Sequence, residues 1–414
     1  MRSVSDHVSA VLAAARPMAP LDVVLADADG AVLAEEVAAP QDVPRRAVAD
    51  RDGYAVRAVD VLGGEARLPV VADARPASAV IHLVAGSAVL VAAGAPVPHG
   101  ADAVVALEDT DRGRANVAIR GSVRPGDGVR PVGCDATAGQ VVLTAGLRLG
   151  SRHLAYSAAI GRSRLWVRPA PRVVVVTVGD ELVDAGRRLR DGTVHDADGH
   201  ALVAAAREAG ANAVRVGPVT DDRAVLREVL ADQLVRADLL VLAGGLSAGP
   251  WDTVADVLGA LGTVRLDGVS MSPGGRQGLG TVRGMTPGEL DGVAEDDRSG
   301  ALVVALPGHP VAALLSFEMF VRPAVRKMAG YTELFRPSVR ATATRRWGSP
   351  AGMTQLVPGT VVGSPAHGYE ITPLGDPDQV SLTALARANA LAVIPEDTIV
   401  VLAGDSVACL VLES

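Results

Sequence analysis

The chain has 414 residues, too many for one ordinary core; at roughly 100–200 residues per domain it divides into about two to four. Hydrophobic residues make up 49% and charged residues 21%, the composition of a globular rather than a disordered chain. A net charge of −8 and an aromatic content of 2% argue against a nucleic-acid partner, which requires cationic surface for phosphates and rings for stacking.

In chain order, residues 4–16 read as a short amphipathic helix with Val4, Val8, Val11, Leu12 and Ala15 on one face. The first 20 residues are assigned to that helix, packing on the α/β domain described below. They lack the apolar core and small-residue cleavage site of a signal peptide. No run reaches the roughly 20 apolar residues that span a bilayer, so the expectation is a cytoplasmic protein with no membrane span.

From about 20 to 150, short β-type runs alternate with Gly/Pro/Asp punctuation. Residues 21–45 together with 139–170 read as a linker-like mixed subdomain, and 46–138 as a β-rich one. Residues 171–330 change texture. The run Arg172–Val178 holds four consecutive valines, Val173–Val176, as expected of a strand buried on both faces. A helix ending near Gly210, a strand over 212–219, a helix over 222–234, strands over 237–245 and 301–308, and a helix from Pro310 to Gly330 follow. Strand–helix alternation predicts parallel pairing with right-handed crossovers. Residues 331–414 return to β texture and read as a separate C-terminal β domain. The fold class is therefore α/β plus β, in several domains. Cys134 and Cys409 lie far apart, in no metal-type spacing, and both are expected to be buried thiols.

Ligands of open parallel sheets bind outside the carboxyl ends of the strands. Three strand ends here are rich in glycine: Gly179-Asp180-Glu181, Gly244-Gly245-Leu246-Ser247 followed by Asp252, and Pro307-Gly308-His309-Pro310. Glycines let backbone N–H groups approach an anion, and a helix N-terminus adds its dipole. Asp180, Glu181, Asp221, Asp222 and Asp252 place carboxylates at the same rim, the donors by which Mg²⁺ is held beside phosphate. Asp180 and Asp222 also suit the capping of the next helix, and His309 taken alone reads as an ordinary loop histidine. His195 and His200 have no metal spacing, and no serine-nucleophile elbow is present.

Taken together, these segments resemble the molybdopterin molybdenumtransferases, the MoeA family that includes the gephyrin E domain. The matching residues run nearly end to end: Asp52-Gly53-Tyr54-Ala55-Val56; Gly94-Ala95-Pro96-Val97-Pro98 with Gly100-Ala101-Asp102-Ala103-Val104-Val105 and Glu108; Gly133-Cys134-Asp135; Gly179-Asp180-Glu181-Leu182; Asp221-Asp222; Gly244-Gly245-Leu246-Ser247; Pro273-Gly274; Leu306-Pro307-Gly308-His309-Pro310; Asn389; and Ile394-Pro395. Each motif is weak alone, and the collinear series is specific.

The resemblance implies a MogA-like α/β domain, an elongated homodimer, and Mg²⁺-dependent insertion of molybdate into adenylylated molybdopterin with release of AMP. It implies metal-binding roles for Asp180, Glu181, Asp222 and Asp252. Catalytic roles fall to Glu181, Asp222 and Asp252, with Asp52 and Asp135 reaching in from the partner subunit. Substrate contacts fall to Gly179, Asp180, Gly244, Gly245, Ser247, Pro273, Gly274, Arg276, Pro307, Gly308, His309 and Pro310. The chain departs from the family pattern where Val178, Ala243, Asp198, Gly275 and His309 replace a Thr, a Ser, an Asn, a basic residue and an Asn. Most of these changes remove a side-chain donor worth about 0.5–1.5 kcal/mol, or about 1.5–3 when charge-assisted. Arg51, Arg276 and His309 offer partial compensation, or suit a different anion. The same departures fit the alternative expectation, a catalytically impaired, gephyrin-like dimeric scaffold that binds a protein partner.

Overall fold

Arg172–Val178 contains four consecutive valines with no polar alternation, and only a strand covered on both faces buries such a run. In the computed structural model, which describes residues 1–246, 252–260, 263–282 and 300–412, every residue of this strand after Arg172 is buried. The chain forms two units, residues 22–167 and residues 1–21 with 168–414.

The second of these units is built on one six-stranded sheet, whose strands are β1 (Arg172–Val178), β2 (Asn212–Val219), β3 (Leu239–Ala243), β4 (Arg265–Gly268), β5 (Arg276–Val282) and β6 (Ala301–Leu306). Their spatial order is β2-β1-β3-β6-β5-β4. The first four are parallel, and β5 and β4 continue the sheet antiparallel. Helices are α1 (Val4–Ala14), α2 (Asp198–Glu208), α3 (Arg223–Leu234), α4 (Thr253–Ala260), α5 (Pro310–Ser316) and α6 (Arg322–Ala329). Successive strand residues point to opposite faces. Val173, Val175, Leu239 and Val241 therefore pack on α1, α2, α5 and α6, while Val174, Val176, Leu240 and Leu242 pack on α3 and α4. Each such side chain fully buried contributes about 1.5–3 kcal/mol, so the sheet holds the rim residues on a rigid support.

The stretch from Pro310 to Gly330 reads as one helix in the sequence but contains a π-helical turn, Phe317–Val321. Pro323, just beyond it, has no N–H to return to the preceding turn, and a widened turn absorbs the missing bond. Gly330 ends the helix with φ 87°, a left-handed cap.

After α6 the chain forms an Ala- and Val-rich sheet that closes on itself. Thr354–Ser364 pairs with both Gly368–Pro373 and Ala390–Ile394, and Ser338–Ala343 and Ser406–Val411 complete the ring. Its centre holds Trp347, Val357, Ile371, Ile394 and Cys409. Met271–Ser272 adds in parallel to Thr354–Gln355, tying the segment before β5 to this barrel.

Residues 22–167 form the other unit. A five-stranded sheet runs in the order Ala103–Ala106, Gly53–Val56, Ala88–Val91, Glu65–Ala74, Asn116–Arg120, with Tyr54, Val105 and Ile119 buried on one face and Ala55, Val89 and Val104 on the other. A second apolar cluster gathers Leu33, Val37, Leu143, Leu149, Ile160 and Leu165 from the two ends of the segment.

Cys409 is buried, and desolvation pushes its thiol up to about 12. Cys134 is exposed, against expectation: it lies in the tight turn from Pro131, whose carbonyl accepts its N–H, with no apolar layer over it.

Candidate functional site at the carboxyl edge of the sheet

From β1 the chain passes through α2 to β2 on one side, and then crosses to β3 on the other side of β1. The order reverses between β1 and β3, so a crevice opens at their carboxyl ends, the topological switch point of such sheets. The first two glycine-rich segments follow these two strands, and the third follows β6 beside β3.

The backbones meet closely there. A Cβ on Gly244, whose φ is 106°, would stand 2.3 Å from the Val178 carbonyl oxygen, and one on Gly308 would stand 2.9 Å from the Gly244 Cα. No other residue type permits this contact, and it brings the ends of β1, β3 and β6 together. The Gly179 N–H donates to the Val219 carbonyl at 2.9 Å, which adds the end of β2.

Carboxylates line this edge. The Asp180 N–H donates to Asp221 Oδ2 and the Asp221 N–H to Asp180 Oδ1, both at 3.1 Å. Asp221 is thus the residue that meets Asp180. Asp222 instead caps α3, accepting from the N–H groups of Ala224 (2.8 Å) and Val225 (3.0 Å). The Glu181 carboxylate folds back over Gly179, within 2.5 Å of where a Cβ would be. Asp252 is buried at the start of α4, and Thr253 donates its hydroxyl to the Asp221 carbonyl at 2.9 Å. Ser247 lies outside the described residues.

On the far side of the edge, His309 precedes α5 with an exposed side chain that makes no capping bond, and Pro310 occupies the first turn. Gly278 pairs with Ala305, so Arg276, two residues earlier on β5, stands level with the Pro307–Gly308 turn. Arg276 and His309 therefore share one end of the edge. Asp180 lies three strands from Arg276, about 14 Å at ~4.8 Å per strand. Pro273 and Gly274 precede Arg276 in a loop whose Gly275 carbonyl accepts the Val269 N–H at 2.6 Å.

A buried ionic cluster beside β1 escapes sequence reasoning. Asp196 is 2% exposed; its Oδ2 accepts from Thr177 Oγ1 at 2.7 Å and from Arg215 Nε and Nη2 at 3.0 and 2.8 Å. Arg215 also donates to Asp184 at 2.6 Å, a bond that holds the Asp184 carboxyl below the usual carboxylate range. Two residues on, Asp198 is buried in the first turn of α2, with Oδ1 unpartnered among the described residues. Burial, then the neighbouring Asp196 charge, raises it to about 7. The one signal in the sequence is Arg215, a charge inside the otherwise apolar β2.

In residues 22–167, Asp52 Oδ1 accepts the Ala93 N–H at 2.7 Å. Both oxygens of Asp135 accept from Arg130 Nη2 at 2.6 Å, and the Tyr156 hydroxyl donates to the Asp135 carbonyl at 2.7 Å. The Val48–Ala49 strand just before Asp52 pairs with Val129–Arg130.

Among the described residues no three His, Cys, Asp or Glu side chains converge into a complete metal cage. Mg²⁺ does not require one: it is typically bound by one or two carboxylates and completes its shell with water and phosphate oxygens. The hard oxygen donors of Asp180 and Asp221, fixed on the edge by their own backbone bonds, fit that mode.

A doubly wound sheet with glycine turns and carboxylates at its switch point defines an α/β ligand-binding protein, here joined to a β barrel and a β-rich unit. Three family models match along the chain: the MoeA N-terminal region (domain I and II) over residues 2–161, the probable molybdopterin binding domain over 174–327, and the MoeA C-terminal region (domain IV) over 340–412. The chain belongs to the MoeA family of molybdenum cofactor biosynthesis. It is 37% identical over 422 residues to molybdopterin molybdenumtransferase 2 of Mycobacterium tuberculosis (strain ATCC 25618 / H37Rv), covering 98% of each chain. It is 35% identical over 419 residues to molybdopterin molybdenumtransferase 1 of the same strain, covering 95% of each. The crystal structure of a molybdopterin biosynthesis MoeA protein from Pyrococcus horikosii matches 100% of this chain and 99% of that one, with a TM-score of 0.81 and 26% identity.

Proposed function

We propose that this protein inserts molybdate into adenylylated molybdopterin and releases AMP, in the cytoplasm and as a homodimer. The observation that carries the reading is the mutual hydrogen bonding of Asp180 and Asp221 at the switch point, in a chain whose relatives are named molybdopterin molybdenumtransferases.

In this reading the substrate phosphate lies over the Gly244–Gly308 contact, where the absence of side chains lets an anion approach the backbone. Asp180 and Asp221 would hold Mg²⁺, with Glu181 and Asp252 beside them; Asp222 serves the edge by capping α3. Bound there, Mg²⁺ would supply positive charge that offsets the charge of the phosphate. Arg276 and His309, at the other end of the edge, take the molybdate oxyanion in place of the basic side chain that Gly275 cannot supply. Asp52 and Asp135 come from the second copy; each is held by bonds within its own unit, Asp52 by the Ala93 N–H and Asp135 by Arg130.

Complementation of a strain lacking its own molybdenumtransferase tests the reading, alongside a molar-mass measurement of the purified protein. Restored molybdoenzyme activity and a dimeric mass are expected. Failure by a well-expressed, folded chain would remove the catalytic reading and favour the scaffold, which keeps the fold and recruits a protein partner.

A further inference from the structure

Gln277 is 0% exposed, and its amide is spent on one loop. Nε2 donates to the Gly274 carbonyl at 2.6 Å and to Ser316 Oγ at 2.8 Å. A carbonyl only accepts, so the atom facing Gly274 must be the amide nitrogen, which leaves Oε1 buried without a partner among the described residues. An orphaned buried amide oxygen is costly, and an apolar residue of the same volume would avoid it. Gly274 is itself confined: its φ is 104°, and a Cβ there would come within 2.7 Å of Met271 Cε and 2.8 Å of Ser316 Oγ. Ser316 is fully buried too, at the end of α5, the helix that begins at His309 and Pro310.

We infer that Gln277 and Ser316 are positioning residues that clamp the 273–276 loop to α5, so that Arg276 and His309 are presented to one oxyanion. Gln277 turns into the layer of α5, where it meets Ser316, and Arg276, the next residue back, stands level with the Pro307–Gly308 turn that leads into that helix. No hydrogen bond or ion pair to the Arg276 side chain occurs among the described residues, so its guanidinium is available to a ligand. The clamp acts through Arg276 and touches no reacting atom. Its functional part rests on the proposed molybdate reaction; its structural part does not.

The test uses the full chain with Gln277→Met, Ser316→Ala and Gln277→Glu. Steady-state kinetics with varied molybdate is read beside hydrogen exchange of a peptide covering 269–276. Gln277→Met and Ser316→Ala should raise the KM for molybdate about tenfold and leave kcat within twofold. Exchange should quicken in 269–276 while the β1 and β3 peptides stay protected. Gln277→Glu should approach wild type at low pH, where the protonated carboxyl again donates to the Gly274 carbonyl, and lose that recovery as pH rises. Equal losses in kcat and KM that track the folded fraction, with no acid recovery, would overturn the clamp. Should the wild type itself not turn over molybdate, the proposed function fails, and the exchange data alone decide: unchanged exchange in 269–276 overturns the clamp, and faster exchange confined there sustains it.

Discussion

Asp180 and Asp221 each donate a backbone N–H to the other's carboxylate, at 3.1 Å in both directions, which locks the ends of β1 and β2 together. The second oxygen of each carboxylate takes no part in the exchange. An Asp221→Ala change removes one acceptor and one cation ligand from a half-buried position at the rim, so its cost to folding is small, within about 1 kcal/mol. In AMP-release assays it should lower kcat/KM at least about tenfold, a loss of about 1.4 kcal/mol in transition-state stabilisation. A matching drop in thermal stability would instead mark the pair as structural.

Arg215 neutralises Asp196, whose carboxylate is 1% exposed, at the foot of α2. Removing one partner of a buried pair leaves the other charge unpaired, typically at a cost of about 3–5 kcal/mol. Thr177 and the Gly199 N–H still hold Asp196, which places Arg215→Ala at the lower end of that range. Urea unfolding would read this as a lower midpoint at unchanged m-value.

Asp198 gives the protein a pH signature. Its folded carboxyl is raised from 3.8 to about 7 by burial and by Asp196. Between these values the folded chain keeps a proton that the unfolded chain has lost, so this contribution to stability is full below pH 4 and falls away as pH rises through 7. Asp198→Asn keeps the shape and cannot ionise. It should raise the melting temperature at pH 7.5 relative to wild type and have little effect at pH 4.5.

His7 has the opposite sign. Burial against Phe320, with ring centroids 4.6 Å apart, lowers it from 6.5 to about 4; Arg2 adds to the shift and Asp267 opposes it. Its stability contribution is present above pH 6.5 and lost as pH falls through 4. Both ring nitrogens lack partners among the described residues, so His7→Leu should leave the protein at least as stable at pH 7 and flatten its acid limb in melting curves from pH 4 to 7.

The four parallel strands were legible because continuous valine and leucine runs such as Val173–Val176 suit burial on both faces. The antiparallel pair β4 and β5 was not. Arg265–Gly268 is short, and β5 carries Gly278 and Gly280, which break the apolar texture. The structure explains both glycines: a Cβ on Gly278 would meet Ala305 Cβ at 2.8 Å, and one on Gly280 the Thr263 carbonyl at 2.4 Å. The glycine-rich turns could be placed at strand ends from the sequence, because punctuation after an apolar run is local information. Which of Asp221 and Asp222 faces Asp180 could not, since it depends on where α3 starts. The Gln277–Ser316 clamp joins residues 39 apart across two layers, and nothing in either neighbourhood announces it.

The most direct measurement is single-turnover release of AMP from adenylylated molybdopterin by the purified full chain, with Mg²⁺ present and molybdate added or withheld. The account predicts AMP release that depends on molybdate and is lost on replacing Asp180 by alanine. A folded protein that binds the adenylylated pterin and releases no AMP with molybdate present would contradict it.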